Sequence, residues 1–336
     1  MNPSSQTVLS GLRPTGRIHL GNYFGAIRNW VELQERYPCY IFVADWHALT
    51  SDYADTSRIR QATFDAVADL LAAGIDPSKC VLFLQSEVKE HAELHLLLSM
   101  VTPLPWLERV PTFKDQQAQL EDKELNTYGF LGYPLLQTAD IIIYRADFVP
   151  VGEDQASHLE LSREVVRRFN NFFGPVFPEP QPLFTTAAKV PGLDGRKMSK
   201  SYGNTIGLTW TADEIRAAVM TMFTDPNRVR RTDPGNPDIC NLFQFHKLFS
   251  DAATIARVDH ECRTAQIGCV QDKKLIAEII IESLAPIRAR REAIDRDPSI
   301  VWETLRSGNV KARERAAVTL DMVRKAMKID FPELRA

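Results

Sequence analysis

The 336-residue sequence predicts an α/β protein, a doubly wound parallel sheet followed by an all-helical C-terminal region. Two observations carry this reading. Short apolar runs alternate with helical patterns through the first half, and past about residue 205 the strand signals fade while helical ones continue. The first apolar run, Val8-Leu9, leads through the Gly/Pro loop Gly11–Gly16 into a helical pattern reaching Arg36. Tyr40–Ala44 and Val81–Leu84 read as further buried strands. Between them a helix is expected from about Ser57 to Ala73. Ile59, Ala62, Ala66, Val67, Leu70 and Leu71 share its apolar face, Thr56 is its N-cap and Gly74 its stop, with Pro77 beyond. Asp147–Val151 is a fourth strand, opening through Gly152 into a helix to about Phe169. A Pro-rich connector, Pro175–Pro182, follows. Asp213–Met222, Ser250–Cys262, Lys273–Arg290 (with a kink at Pro286) and Asn309–Lys328 read as helices.

Composition narrows the class. Hydrophobic content of 44% and charged content of 25% fit a soluble globular chain. The net charge of -3 does not advertise a nucleic-acid partner, which would need a local basic patch. No apolar run has membrane-spanning length and no leader pattern opens the chain, so a cytoplasmic protein without a membrane partner is expected. Five scattered cysteines suit a reducing compartment.

Two distant segments carry the chemistry. His19-Leu20-Gly21-Asn22 sits where a strand opens a helix, so a polyanion there meets small residues, backbone N–H groups and a helix N-terminus. Lys197-Met198-Ser199-Lys200-Ser201 sets two lysines and two hydroxyls on a loop flanked by Gly192, Gly195 and Gly203. Such lysines can follow charge as it develops on a phosphate. The bland reading, a solvated surface loop, loses weight because both segments occur in this order. Spacing alone supports nucleotidyl transfer at a strand–helix crevice.

With these motifs, and with Ser10–Gly16, Asp45-Trp46-His47, Tyr133–Asp140 and Gly152–Gln155, nearly the whole chain resembles bacterial tryptophanyl-tRNA synthetases of class I. The resemblance implies a Rossmann-like catalytic domain over 1–205, with a dimer-forming insertion at about 90–135. It implies a helical anticodon-binding domain over 206–298 and C-terminal helices over 299–336 packing back on the catalytic domain. It implies ATP-dependent joining of L-tryptophan to tRNA(Trp) through an adenylate, in a homodimer, with Mg²⁺ accompanying ATP. Lys114, Lys197 and Lys200 are then the catalytic lysines. Arg13, Pro14, Thr15, His19, Gly21, Asn22, Gly152, Glu153, Asp154, Val190, Met198, Ser199 and Ser201 complete the ATP site. Glycine is expected at 21 so that adenine can approach.

Leu9, His47, Tyr133, Gln137, Asp140 and Gln155 form the implied amino-acid pocket. Tyr133, Gln137 and Asp140 share a helical face. A carboxylate at 140 can accept from an indole N–H or from a phenol O–H, so a tyrosine–tRNA ligase stays open as an alternative. Apolar Leu9 argues against it, because tyrosyl enzymes place a tyrosine at that position. A carboxylate between Ala139 and Ile141 needs a partner, either a ligand or local backbone and Arg145. His47 is balanced between ligand contact and packing. A catalytically silent nucleotide- or tRNA-binding paralogue is the reading from another class, and retention of the lysines with Asp140 argues against it.

Some relatives of this kind hold a [4Fe–4S] cluster through cysteines. Here Cys240, Cys262 and Cys269 remain, but the fourth position is Asp272, so a lost cluster is expected, and zinc less still. Arg228, Arg230 and Arg231 form a basic run suited to phosphate. Asn309–Lys328 reads rather as an amphipathic helix packing Val318, Leu320 and Met322 inward.

Overall fold

The computed structural model describes residues 6–110, 127–152, 156–184 and 190–334. Five parallel strands, β1 (Val8–Leu12), β2 (Cys39–Val43), β3 (Cys80–Leu84), β4 (Phe148–Val151) and β5 (Gln181–Phe184), stand in the order β3-β2-β1-β4-β5. The order reverses between β1 and β4, which creates a crevice at the strands' carboxyl ends. The helices in chain order are α1 (Leu20–Asn22), α2 (Arg28–Leu33), α3 (Asp45–Asp52), α4 (Ile59–Ala73), α5 (Glu90–Ser99), α6 (Leu104–Glu108) and α7 (Tyr128–Ile143). They continue with α8 (Ala156–Phe173), α9 (Ala212–Met220), α10 (Asn241–Phe249), α11 (Ala252–Arg263), α12 (Cys269–Arg296) and α13 (Ser299–Ala326).

Strand residues alternate between two apolar layers. Val8, Ile41, Val43 and Leu82 face a core built with α4, α9, α10 and α12, while Leu9, Phe42 and Phe83 face one built with α5, α7, α8 and α13. Both layers are covered, which explains the continuous apolar strand sequences.

Several elements differ from expectation. The pattern after β1 is broken into α1, a π-helical turn at Tyr23–Ile27 and α2, which ends at Leu33. Helix α4 begins at Ile59, two residues later than expected. Thr56 supplies its backbone carbonyl to Ile59 N rather than a side-chain cap. Gly74 closes α4 with φ +115°, as a left-handed stop requires. The Pro-rich connector contains β5, an edge strand in which Pro182 pairs with Val149; proline is tolerated where only one neighbour is bonded. Helix α12 runs unbroken through Pro286, and the Arg288 guanidinium caps the Ile281 carbonyl on the turn before it.

The last helix covers the β3 edge of the sheet. Asn309 Oδ1 accepts from Leu84 N at 2.9 Å. Gly308 lies so close to the Leu82 carbonyl that no Cβ fits between them. Leu320 is buried, but Val318 and Met322 face outward, contrary to the expected face. Arg324 pairs with Glu93 and Arg313 donates to Glu87 O.

Candidate active site

The two lysine- and histidine-bearing segments meet beyond the carboxyl end of β1. Leu20 N donates to Ile206 O at 2.9 Å, Leu208 N to Ile18 O at 2.8 Å, and His19 bridges Gly207, so the stretch after the lysine loop runs alongside the first motif. Lys200 Nζ lies 2.8 Å from Thr15 O and 3.3 Å from Thr15 Oγ1. Gly16, at φ +89°, shapes the loop Lys200 reaches. Burial pulls the Lys200 ammonium below its usual range, against the raising charges of Asp69 and Asp65.

His19 caps α1. Its Nδ1 accepts from Asn22 N and Asn22 Oδ1 accepts from His19 N, both at 3.4 Å. Burial, helped by the Lys200 charge, pulls the imidazole down to about 4. It is therefore neutral near pH 7, and the Nδ1 bond leaves the proton on Nε2. A Cβ at Gly21 would stand 2.9 Å from the His19 ring and 3.3 Å from Met198 Cβ. The protein's own packing thus demands glycine there, before any nucleotide is considered. Gly21 N also meets Met198 Sδ at 3.3 Å. Met198 is buried under the motif and bonds through its N–H to Val190 O.

The lysine loop is held by Asn204, a residue that no local sequence pattern marks. Asn204 is buried; its Oδ1 accepts from Ser199 N, and its Nδ2 donates to Asp194 Oδ1 and Lys197 O. Ser199 and Ser201 hydroxyls lie 2.9 Å apart, and the main chain of Lys197 pairs with Pro191. Arg13 donates to Ser51 Oγ beside Pro14 and Thr15. Gly152 follows β4 at the crevice. Lys114, Glu153, Asp154 and Gln155 lie outside the described residues.

Asp140 is the centre of a buried network. It is 0% exposed, yet its Oδ2 accepts from His47 Nε2 at 2.7 Å and its Oδ1 from His91 Nδ1 at 2.6 Å. Gln85 Nε2 donates to both oxygens at 2.8 and 2.9 Å. His91 Nε2 in turn lies 2.7 Å from the Tyr144 hydroxyl. Burial alone would raise the carboxyl, but the bonds from His47 and His91 hold it well below the usual carboxylate range. Neither local backbone nor Arg145, which donates to Val176 O, partners it. Tyr133 packs edge-on to His47 at 6.5 Å, Gln137 lies half-buried one turn before Asp140, and Leu9 is buried on β1. A cavity of about 250 Å³ opens beside Trp46, His95, Tyr133 and Leu136. Gln85 and His91 were missed because they sit at the end of β3 and on α5, far from Asp140 in sequence. The hint available was one polar residue, Gln85, directly after an apolar strand, and His91 on α5 offered none.

The cysteine region does not fit a four-thiolate cluster. Arg228 Nη1 stands 4.0 Å from Cys262 Sγ and 3.9 Å from Cys269 Sγ, placing a cation between the thiols. Burial pushes the Cys262 thiol up to about 11, so it stays protonated near neutrality. Asp272, at the fourth position, is engaged by His246 Nε2 at 3.0 Å. Among the described residues no group of three or more histidines, cysteines or acids could hold a metal ion. Arg228 and Arg231 are also committed to backbone carbonyls, leaving Arg230 and Lys274 as the less encumbered cations around a cavity of about 550 Å³.

A doubly wound parallel sheet whose crevice gathers a capped histidine motif and a lysine loop is the apparatus of a nucleotide-activating α/β enzyme. A family model described as tRNA synthetases class I (W and Y) matches residues 1–285. A tryptophan–tRNA ligase of Thermotoga maritima is 51% identical over 96% of this chain and 99% of its own length. One of Ralstonia nicotianae is 43% identical over 97% and 99%. The crystal structure of a Campylobacter jejuni tryptophanyl-tRNA synthetase, complexed with ADP and tryptophan, superposes with a TM-score of 0.89 at 34% identity, covering 96% of this chain and 100% of that one. The chain belongs to the class I tRNA synthetases of the tryptophan and tyrosine family.

Proposed function

We propose that this chain is a tryptophan–tRNA ligase, activating L-tryptophan with ATP and passing the tryptophanyl group to tRNA(Trp). The observation that carries this is the meeting of Lys200 with the Thr15 carbonyl at the mouth of the first motif. A cation at that mouth supports a site in which a nucleotide cradled by His19–Asn22 turns its phosphates toward Lys200. Relatives that are tryptophan–tRNA ligases over nearly the full length support the amino-acid assignment. So does buried Leu9, which offers an aromatic ring apolar contact and no hydroxyl.

The reaction is an in-line displacement in which the tryptophan carboxylate attacks the α-phosphorus and pyrophosphate leaves. Lys197 and Lys200, with Lys114, offset the charge growing on the leaving group, a charge that Mg²⁺ carried with ATP would share. Lys200 must exchange its carbonyl partner for phosphate oxygen, a charge-assisted bond of greater strength. Neutral His19 offers its Nε2–H to the nucleotide. Gly21, Asn22 and the Arg13–Thr15 main chain cradle it, and Gly152 with Glu153 and Asp154 meet the ribose. The Asp140 carboxylate, held ionised, receives the indole N–H once one of its present donors, His47, His91 or Gln85, gives way, since both oxygens are engaged and fully buried. Tyr133, Gln137 and Gln155 share the ammonium.

The division into a catalytic part over 1–205, an anticodon-binding part over 206–298 and returning helices over 299–336 completes the reading, with a homodimer in the cytoplasm. The exposed apolar residues Leu96, Met100, Leu104 and Tyr128 support an assembly surface. No helix among the described residues is long and apolar enough to cross a membrane. Amino-acid-dependent ATP–pyrophosphate exchange with tryptophan, tyrosine and phenylalanine in parallel tests the proposal. Exchange with tryptophan alone is expected, and exchange with tyrosine or with none of the three refutes it.

A further inference from the structure

Asp69 lies in the middle of α4 and is 0% exposed. Its carboxylate collects donors from three separate parts of the chain. Oδ2 accepts from Ile18 N at 2.7 Å, the residue immediately before His19. Oδ1 accepts from Thr209 Oγ1 at 3.2 Å, on the segment that follows the lysine loop, and from Arg291 Nη1 at 2.5 Å, on α12. Arg291 is 4% exposed and also binds Asp65 and Asp295. One guanidinium therefore clamps three carboxylates, and one of these holds both motif-bearing segments by direct hydrogen bonds.

We infer that Asp69 and Arg291 are positioning residues for the activation step: their ion pair sets the spacing between the His19 motif and the lysine loop, and ties that spacing to helix α12. The inference rests on reading those two motifs as the ATP site. Arg291 acts on them through Asp69. Asp69 acts through the Ile18 N–H and the Thr209 hydroxyl, bracing from behind the main-chain pairing of Ile18–Leu20 with Ile206–Leu208 that sets the lysine loop against the His19 cradle. A paired buried charge fixes geometry because its donors cannot shift without leaving it uncompensated. Helix α12 carries Cys269 and Lys274 at its start and Arg291 near its end, so a displacement of α12 moves a group bonded to the activation site.

The test uses the full chain and measures three quantities: kcat and KM(ATP) in tryptophan-dependent pyrophosphate exchange, the tryptophan dissociation constant by calorimetry, and the urea midpoint. Asp69→Asn is expected to lower kcat about 10–10²-fold, the cost of a small misplacement, while tryptophan affinity stays within about twofold. Arg291→Met alone leaves Asp69 uncompensated and should lower the urea midpoint. In the double variant Asp69→Asn/Arg291→Met the midpoint is expected to recover in part, Asp65 and Asp295 still lacking their guanidinium, while kcat does not, a split that a merely structural pair would not give. Should Asp69→Asn fail to fold, Arg291→Lys keeps the charge but loses the fork, and a kcat reduction of about fivefold with unchanged tryptophan affinity is expected. Wild-type kcat in these variants, or kcat recovering in step with the midpoint, overturns the inference. Lys200→Ala separates the two levels. If it retains full exchange, the motif reading and this inference fall together; if it is impaired while Asp69→Asn is not, only this inference falls.

Discussion

Replacing Asp140 by asparagine removes a buried charge while keeping its shape, and the partners around it determine the outcome. One acceptor oxygen becomes an NH₂ donor. His91 can adapt, because its other nitrogen faces the Tyr144 hydroxyl, which can donate or accept. Gln85 can adapt as well, because its Nε2 keeps the oxygen that remains or its unpartnered Oε1 turns to accept from the new NH₂, whereas His47, whose Nε2 lies 2.7 Å from Oδ2, must change tautomer or lose its bond if the NH₂ takes that position. The charge assistance of the bonds from His47, His91 and Gln85 is lost and an imidazole must change tautomer or go unpaired, a cost of about 1–3 kcal/mol in folding stability. If the carboxylate also receives the indole, the KM for tryptophan rises at least about tenfold, the equivalent of roughly 1.4 kcal/mol, with the KM for ATP little changed. The lowered carboxyl also sets the pH dependence. The stability it contributes is fully present above the unfolded carboxyl value of about 4 and is lost only as pH falls below that. The difference between wild type and Asp140→Asn in urea unfolding should therefore be flat from neutral pH to about 4 and shrink in stronger acid. Equal stability at pH 7 together with an unchanged tryptophan KM would refute the view of Asp140 as a charged hub.

Other expectations are simpler. Lys200→Ala should slow adenylate formation by about 10²–10³-fold, as loss of one donor to a developing charge does, while tryptophan binding by calorimetry is nearly unaltered. Gly308→Ala drives a methyl into the Leu82 carbonyl and should destabilise by about 1–3 kcal/mol in urea unfolding. His19 titrates at about 4 in the fold and near 6.5 unfolded, so the unfolded chain binds the extra proton first as pH falls. Stability measured against His19→Asn should decline between about pH 6.5 and 4 and level off below.

The sheet's first four strands and the two motifs were legible because each rests on local pattern: apolar runs ended by turn residues, and small residues where backbone must approach backbone. β5 was hidden because Pro182 reads as a breaker, and only its place at the sheet edge makes it admissible. The expected helix at Lys273–Arg290 already ran through Pro286; α12 extends it at both ends, to Cys269 and Arg296, and is unbroken at Pro286, with Leu284 and Ile287 buried on either side. At the candidate site, strong local context singled out the expected residues, while Gln85, His91, Asn204 and Asp69 carried no such context. Their roles come from partners 55, 49, 5 and 222 residues away. Asp69 did leave a trace, since it falls among Ala62, Ala66 and Leu70 on an otherwise apolar face and so must have a partner within the fold.

The pairing of α13 with β3 has a consequence in time. β3 is finished at Leu84, but Asn309, which accepts from Leu84 N, is 225 residues further along the chain. At synthesis rates of about 5–20 residues per second, that strand's bonding edge stays open for about 10–45 s before its cover exists. During that interval an apolar β3 can recruit a strand from another nascent chain. The vulnerable species on the way to this fold is thus a nearly complete molecule lacking its last helix, and a holding chaperone that shields one strand edge would raise the yield more than one that accelerates collapse.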